Sequence, residues 1–355
     1  MTITARTGTS KSARTPKGRI ATALVGAAAL ILTGCATDDG QELHDMNVVT
    51  FLPLDSITFT PEMFAYAGGY FEKHGLNVNL EPVQGSAAAM QAVISGAADI
   101  TRVSSLDSFP AFEQGQPISS IGTMAYGSPI WFLSHDANPI ESAQDMAGQV
   151  VGLGSIGGTS ENLLNLTLDA NGVARDDVTR QAVPVTSATF ELVRQGQLAT
   201  YMVSIDTAFY IGNQNDDAVL SQAGLEETPD LHTWIASSAL LEDAERAEEV
   251  RAFLAAIREA MQFVLDDAPN DFAEVISILE QSEFEIPALS VEEVAIESLS
   301  WYAENVWIDP DGDHGLIEND AEAWQIAYDT YVEGGLLEGG HDPQSWVTDE
   351  FVPTD

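Results

Sequence analysis

Short apolar or alternating runs at 48–54, 76–83, 118–124, 130–133, 150–153 and 201–205 are separated by segments whose apolar residues recur every three or four positions. Such alternation predicts an α/β fold with mostly parallel pairing. The first helix is expected from Thr60 as N-cap and Pro61 at N1, with Met63, Phe64, Ala67, Tyr70 and Phe71 on one face, ending near His74-Gly75. From Ala244 onward the pattern is helical. Val250, Phe253, Leu254, Ile257, Met261, Val264 and Leu265 form one stripe, and Phe272, Val275, Ile276 and Leu279 form another. Ser290 and Glu293 have capping-box spacing before a third helix. Trp324, Ala327, Tyr328 and Tyr331 stripe a fourth that stops at Gly334-Gly335, and these aromatics, with Trp301 and Trp307, read as helix-packing residues.

Two stretches share one layout. Residues 86–104 (SAAAMQAVISGAADITRVS) and 187–204 (SATFELVRQGQLATYMVS) each read helix, glycine, strand, serine. Gly96 and Gly196 suit the left-handed position after a helix, and the strands would deliver Ser104 and Ser204 to corresponding sheet edges. The 310 residues from Met46 to the end exceed what one core usually supports, so two lobes are expected. A cleft between their strand ends is the expected ligand site, because open α/β sheets bind at the carboxyl ends of their strands.

The N-terminus reads differently. Arg6, Lys11, Arg14, Lys17 and Arg19 precede an apolar stretch at 20–32 (IATALVGAAALIL) that is too short to cross a ~30 Å hydrocarbon core. Leu32-Thr33-Gly34-Cys35 looks like a bacterial lipobox. Residues 1–34 are therefore expected to be a lipoprotein signal peptide, Cys35 the lipidated first mature residue and 35–45 a tether, placing the folded part on the extracytoplasmic side of a membrane.

The chain carries 13 Lys plus Arg against 55 Asp plus Glu, and only 8 of the cations follow Cys35. That balance excludes nucleic acid as a partner. The lone cysteine excludes an intrachain disulfide and a thiolate zinc cage. Because the acidic residues are scattered and not run together, they read as a surface suited to concentrated salt more than as an interaction tail.

Several local patterns invite chemistry. Gly152, Gly154 and Gly157 match G-x-G-x-x-G, with Asp176 further on, yet a dinucleotide site needs its acidic residue at the end of the next strand, and Asp176-Asp177 precede that strand. Gly157 and Gly158, with Thr159 or Ser160 as cap, read either as a polar cradle facing the cleft or as a glycine turn that starts a helix. Asp309, Asp311, Asp313 and Asp320 have EF-hand spacing, but His314 stands where that loop needs glycine, leaving a solvated acidic turn as the better reading. The six histidines form no H-x-x-x-H pair, and no G-x-S-x-G elbow occurs. No metal, cofactor or catalytic residue is expected.

Four segments carry a resemblance: 64–101 (FAYAGGYFEKHGLNVNLEPVQGSAAAMQAVISGAADIT), 145–178 (DMAGQVVGLGSIGGTSENLLNLTLDANGVARDDV), 250–276 (VRAFLAAIREAMQFVLDDAPNDFAEVI) and 335–353 (GLLEGGHDPQSWVTDEFVP). Together they resemble the solute-binding proteins of nitrate, sulfonate and taurine ABC importers, which share a domain with thiamine-pyrimidine binding proteins. The resemblance implies a two-lobe periplasmic-binding-protein fold of type II: mostly parallel sheets flanked by helices, with the C-terminal helices packed on lobe 1. Lobe 1 would comprise 46–127 and 222–355, lobe 2 would comprise 128–221, and the crossings would lie near 125–130 and 221–228. It also implies a cleft lined by Asp55, Ser56, Gly85, Ser86, Arg102, Ser104, Ser105, Gly157, Gly158 and Thr159. The internal match adds Ser204 and Asp206, and the first crossing adds Tyr126.

The implied activity is capture of a small molecule and its delivery to an ABC permease and ATPase by a monomeric binding protein. An anion would use Arg102 and helix-start N–H groups, whereas a neutral or cationic heteroaromatic would use Asp55, Asp206 and Tyr126. A receptor lipoprotein of the same fold is the alternative. The enzymatic branch of this domain makes the thiamine pyrimidine with a cysteine-rich motif that this chain lacks, and Lys73, at the exposed-looking end of the first helix, is a poor Schiff base.

Overall fold

The computed structural model describes residues 43–154 and 156–353; the expected signal peptide, Cys35 and most of the expected tether lie outside them. The chain begins in one sheet with β1 (His44–Thr50), α1 (Thr60–Ala67), α2 (Tyr70–Lys73), β2 (Leu76–Pro82), α3 (Ser86–Ser95), β3 (Ile100–Ser104), α4 (Ser105–Glu113) and β4 (Ile118–Ala125). It continues in a second sheet with β5 (Ile130–His135), β6 (Val150–Leu153), α5 (Thr159–Ala170), β7 (Thr179–Ala182), α6 (Phe190–Arg194), β8 (Thr200–Ser204), α7 (Ile205–Gln214) and β9 (Ala218–Ser221). It then returns to the first sheet through β10 (His232–Ser237), followed by α8 (Ser238–Leu241), α9 (Ala244–Asp266), α10 (Ala273–Glu280), α11 (Glu292–Asn305) and α12 (Ala321–Glu333).

The sheets run β2-β1-β3-β10-β4 and β7-β6-β8-β5-β9. In each, three neighbouring strands are parallel, and a strand reached by a crossing, β10 in one and β5 in the other, pairs antiparallel on both sides. This is the two-lobe α/β architecture the sequence leads one to expect. The two matching stretches fall at equivalent places, as α3–β3 and α6–β8. Gly96 and Gly196 both take the left-handed conformation, at φ +73° and +68°.

Three local expectations need correction. Thr60 is not the cap of α1 but its first residue, after the N-cap Phe59, and its hydroxyl donates to the Ile57 carbonyl at 2.7 Å. The first helix is not continuous to His74: Gly68 and Gly69 divide it, Gly69 at φ +74°, and a side chain at Gly68 would meet the Tyr70 ring at 2.6 Å. Ser290 caps nothing; its hydroxyl donates to the Pro287 carbonyl at 2.6 Å, so it closes the turn before α11, which starts from Val291 with no side-chain cap. Pro287 favours that turn over a capping box.

The apolar stripe of α9 packs on α1, α2 and the first sheet, burying Val250, Phe253, Leu254, Ile257, Met261 and Val264 completely. Trp324 and Tyr331 of α12 pack with Phe109 of α4. α11 packs against α7 of the second lobe as well as lying among the C-terminal elements, and Trp301 meets Trp131 edge-on at 5.0 Å. No helix among the described residues is long and apolar enough to cross a membrane.

Candidate functional site

Parallel pairing places the ends of β1, β2, β3 and β4 along one edge of the first sheet, and the ends of β6, β7 and β8 along one edge of the second. The crossings join these edges, so the loops that follow the strands face one another. Residues 51–56, 83–86 and 104–107 come from lobe 1, and 154, 156–159 and 204–206 from lobe 2. Exposed apolar side chains stand on the loops of both lobes: Leu52 (47% exposed) on one, Ile156 (53%) and Val185 (40%) on the other.

Asp206 spans the cleft from lobe 2. It opens α7 just after the N-cap Ser204, whose hydroxyl lies 2.9 Å from that of Thr207. The Asp206 carboxylate accepts the Ser56 hydroxyl at 2.9 Å and the Ile57 N–H at 3.1 Å, both on lobe 1. At 2% exposure its carboxyl is pushed above the ordinary range by burial, against the Ser56 and Ser204 hydroxyls and the Ile57 N–H, which favour the ionised form.

Asp107 spans it the other way. It lies in the first turn of α4, whose N-cap Ser104 accepts the Leu106 N–H at 3.0 Å. Its carboxylate accepts the Thr159 hydroxyl of lobe 2 and is also bonded to Ser86 of lobe 1. Burial raises this carboxyl too, partly offset by those two hydroxyls, with Asp230 adding a further upward push. Asp107 was not legible as a site residue, because an acid in a first helical turn is what the helix dipole favours anywhere.

The other expected residues are placed as follows. Gly85, at φ +88°, is the N-cap of α3, so Ser86 is its first helical residue. Gly158 likewise caps α5, leaving Thr159 free to reach Asp107, while the Gly157 N–H donates to Glu161 at 2.5 Å. The Gly152 of the apparent dinucleotide motif is packed inside β6, where a side chain would meet Tyr201 at 2.7 Å, and Asp176 sits in a turn before β7. Ser104 donates to Asp230, which also takes the Ser128 hydroxyl at 3.2 Å. Ser105 is buried, 2.6 Å from the Tyr331 hydroxyl and accepting the Leu231 N–H at 3.0 Å; it ties β10 and α12 to α4 and does not line the cleft. Tyr126 donates from its hydroxyl to the Glu318 carbonyl at 2.5 Å, and its N–H reaches the Val306 carbonyl at 2.8 Å, fixing the first crossing to the C-terminal segment. Asp55 is exposed on the β1 loop, its carboxyl raised by partial burial.

Arg102 is 2% exposed and fully engaged. Its Nε donates to Glu62 at 2.9 Å, one terminal nitrogen donates to Glu62 at 3.2 Å and to the Thr58 carbonyl at 2.7 Å, and the other lies 3.3 Å from His232. Phe59 and Trp234 flank the guanidinium at 5.5 and 5.8 Å. The acidic turn at 309–320 gathers ligand-type atoms of Asp309, His314 and Asp320 within 4.8 Å of one another. Asp309 is already occupied by the N–H groups of Asp311, Asp313 and His314.

Two like-built lobes meeting along their strand ends, with polar groups of both facing one cleft, define the periplasmic-binding-protein fold. The chain belongs to the NMT1/THI5 like family, whose model matches residues 56–270. A curated relative, the riboflavin-binding protein RibY of Chloroflexus aurantiacus, is 27% identical over 311 residues, covering 86% of this chain and 85% of its own. The periplasmic aliphatic sulphonate binding protein SsuA of Escherichia coli superposes with a TM-score of 0.64 at 15% identity, over 86% of this chain and 97% of its own. The desulfurization enzyme DSZB shares the fold at a TM-score of 0.56 and 15% identity, over 86% and 97%.

Proposed function

We propose that this chain is the substrate-binding lipoprotein of an ABC importer: anchored through Cys35, it captures a small organic solute between its lobes and hands it to a permease, with no chemistry of its own. Lobe 1 is assigned to 46–127 and 222–355 and lobe 2 to 128–221, with β1 extending lobe 1 back to His44. The observation that carries the reading is the pair of contacts from Asp206 to Ser56 and Ile57 and from Thr159 to Asp107, which put side chains of both lobes across one cleft. A solute that touches both lobes favours the closed state by its differential contacts, and closure presents a shape a permease can read. The family supports a binding role, and the fold of a periplasmic sulphonate binding protein supports an extracytoplasmic one.

A thermal-shift screen of the compact unit Gln41–Asp355 tests the reading. The panel comprises taurine, methanesulfonate, nitrate, aminopyrimidines, riboflavin and small amines. A solute at 100 times its dissociation constant adds about 2.7 kcal/mol, several degrees for a domain of this size. A hit supports the importer reading; silence with every class counts against it and for a receptor that answers to another signal.

A further inference from the structure

Four features of this cleft region attract anions by their nature: the Ser56–Ile57 turn, the Ser86 and Thr159 hydroxyls at the starts of α3 and α5, the Gly157 N–H, and the guanidinium of Arg102. Each is already taken by an acidic side chain of the chain itself. Asp206 holds Ser56 and Ile57, Asp107 holds Ser86 and Thr159, Glu161 holds the Gly157 N–H, and Glu62 holds Arg102. The remaining cations among the described residues offer no substitute. Lys73 is held by Glu259, Arg175 by Asp169, Arg180 by Glu161, Asn165 and two carbonyls, Arg194 by Asp217, Arg246 by Asp99 and Glu249, and Arg251 by Glu248 and Glu350; Arg258 donates to the Pro353 carbonyl.

We infer that Asp107 and Asp206 are specificity-determining residues that reject anionic solutes, leaving the cleft to solutes that are neutral or cationic and rich in hydrogen-bond donors. The inference rests on the cleft being the solute site and deepens that reading. An incoming sulfonate, carboxylate or nitrate would have to displace a carboxylate from its donors and then sit beside it, which like-charge repulsion in a partly buried site forbids. A ring bearing N–H or O–H groups meets the opposite situation. It finds acceptor oxygens at the half-buried Asp107, and exposed apolar side chains, Leu52 and Ile156, stand on the loops of the two lobes.

The test is calorimetric titration of methanesulfonate and of nitrate into the unit Gln41–Asp355, as the natural sequence and as Asp107→Asn, Asp206→Asn and the double variant, at low chloride. Asparagine keeps the shape and removes the charge. The natural sequence should show no binding, and the double variant should gain at least tenfold in affinity for one of the two anions. Measurable anion binding by the natural sequence overturns the inference, and so does a folded double variant that gains nothing. If the double variant does not melt cooperatively, the single variants are read in the same way, each with a smaller gain. The importer reading fails separately, through silence of the natural sequence with neutral and cationic solutes, so the two failures are distinguishable.

Discussion

The two lobes share strand order and the same helix–glycine–strand–serine unit, yet they use its final residues differently. In lobe 1 the strand β3 buries Arg102 against Glu62; at the matching position in β8, two residues before the serine, lobe 2 has the apolar Met202, 2% exposed. Past the serine, lobe 1 sends Asp107 outward to Thr159, and lobe 2 sends Asp206 outward to Ser56 and Ile57. The common scaffold thus fixes where a helix start will stand, and the few residues around that start decide whether it stabilises its own lobe or reaches the other. Lobe 1 does both.

Making lobe 1 resemble lobe 2 at this position should have the largest effect. Arg102→Met strands Glu62 in the core and should cost about 3–5 kcal/mol in urea unfolding, while adding Glu62→Leu should restore most of the loss. A double variant as unstable as the single one would mean that the pair is not the reason for the charge. Next in size is Asp206→Ala, which leaves the Ser56 hydroxyl and the buried Ile57 N–H without their partner and should cost about 1–3 kcal/mol. Asp107→Ala, at a half-buried carboxylate, should cost less, and the reverse order would break the comparison.

The acidity of these two groups gives a third expectation. Burial raises both carboxyls above 3.8, so the folded chain binds their protons more tightly than the unfolded one. Their contribution to stability is fully present below that unfolded value and is lost as pH rises through the folded values. Asp107→Asn with Asp206→Asn should therefore gain on the natural sequence as pH goes from about 4 to about 7, measured by urea unfolding at each pH. A stability difference that stays constant over this window would contradict the assignment. The smallest effect sharpens the likeness of the lobes: Gly96→Ala and Gly196→Ala, both in open space at left-handed φ, should each cost about 1 kcal/mol, and equal values would support equivalence of the two units.

Much of this was legible in sequence because local chemistry decides it. Strands β1 to β8, the α9 stripe and the repeated unit follow from periodicity, and the end of α12 from glycine's freedom at positive φ, which Gly335 uses at +68°; β9 and β10 were not anticipated. The break at Gly68-Gly69 was hidden inside a helical stripe that continues on both sides of it, and Ser290 has the spacing of a cap while serving a proline turn. The strand ends that line the cleft could be placed from the pairing pattern. What Arg102 touches could not be, since Glu62 is 40 residues away and only the packing of α1 on β3 joins them. Asp107 and Glu161 were missed for a related reason: acids in first helical turns carry no mark of the group across the cleft they will hold.

The most direct test of the central claim, that solute is gripped by both lobes at this cleft, is the affinity of the Ser86→Ala, Thr159→Ala double variant for the solute identified by the screen, with riboflavin as the first probe. The account predicts a loss of more than tenfold with the fold intact by its melting curve. Affinity within about twofold of the natural sequence would place the solute elsewhere and contradict it.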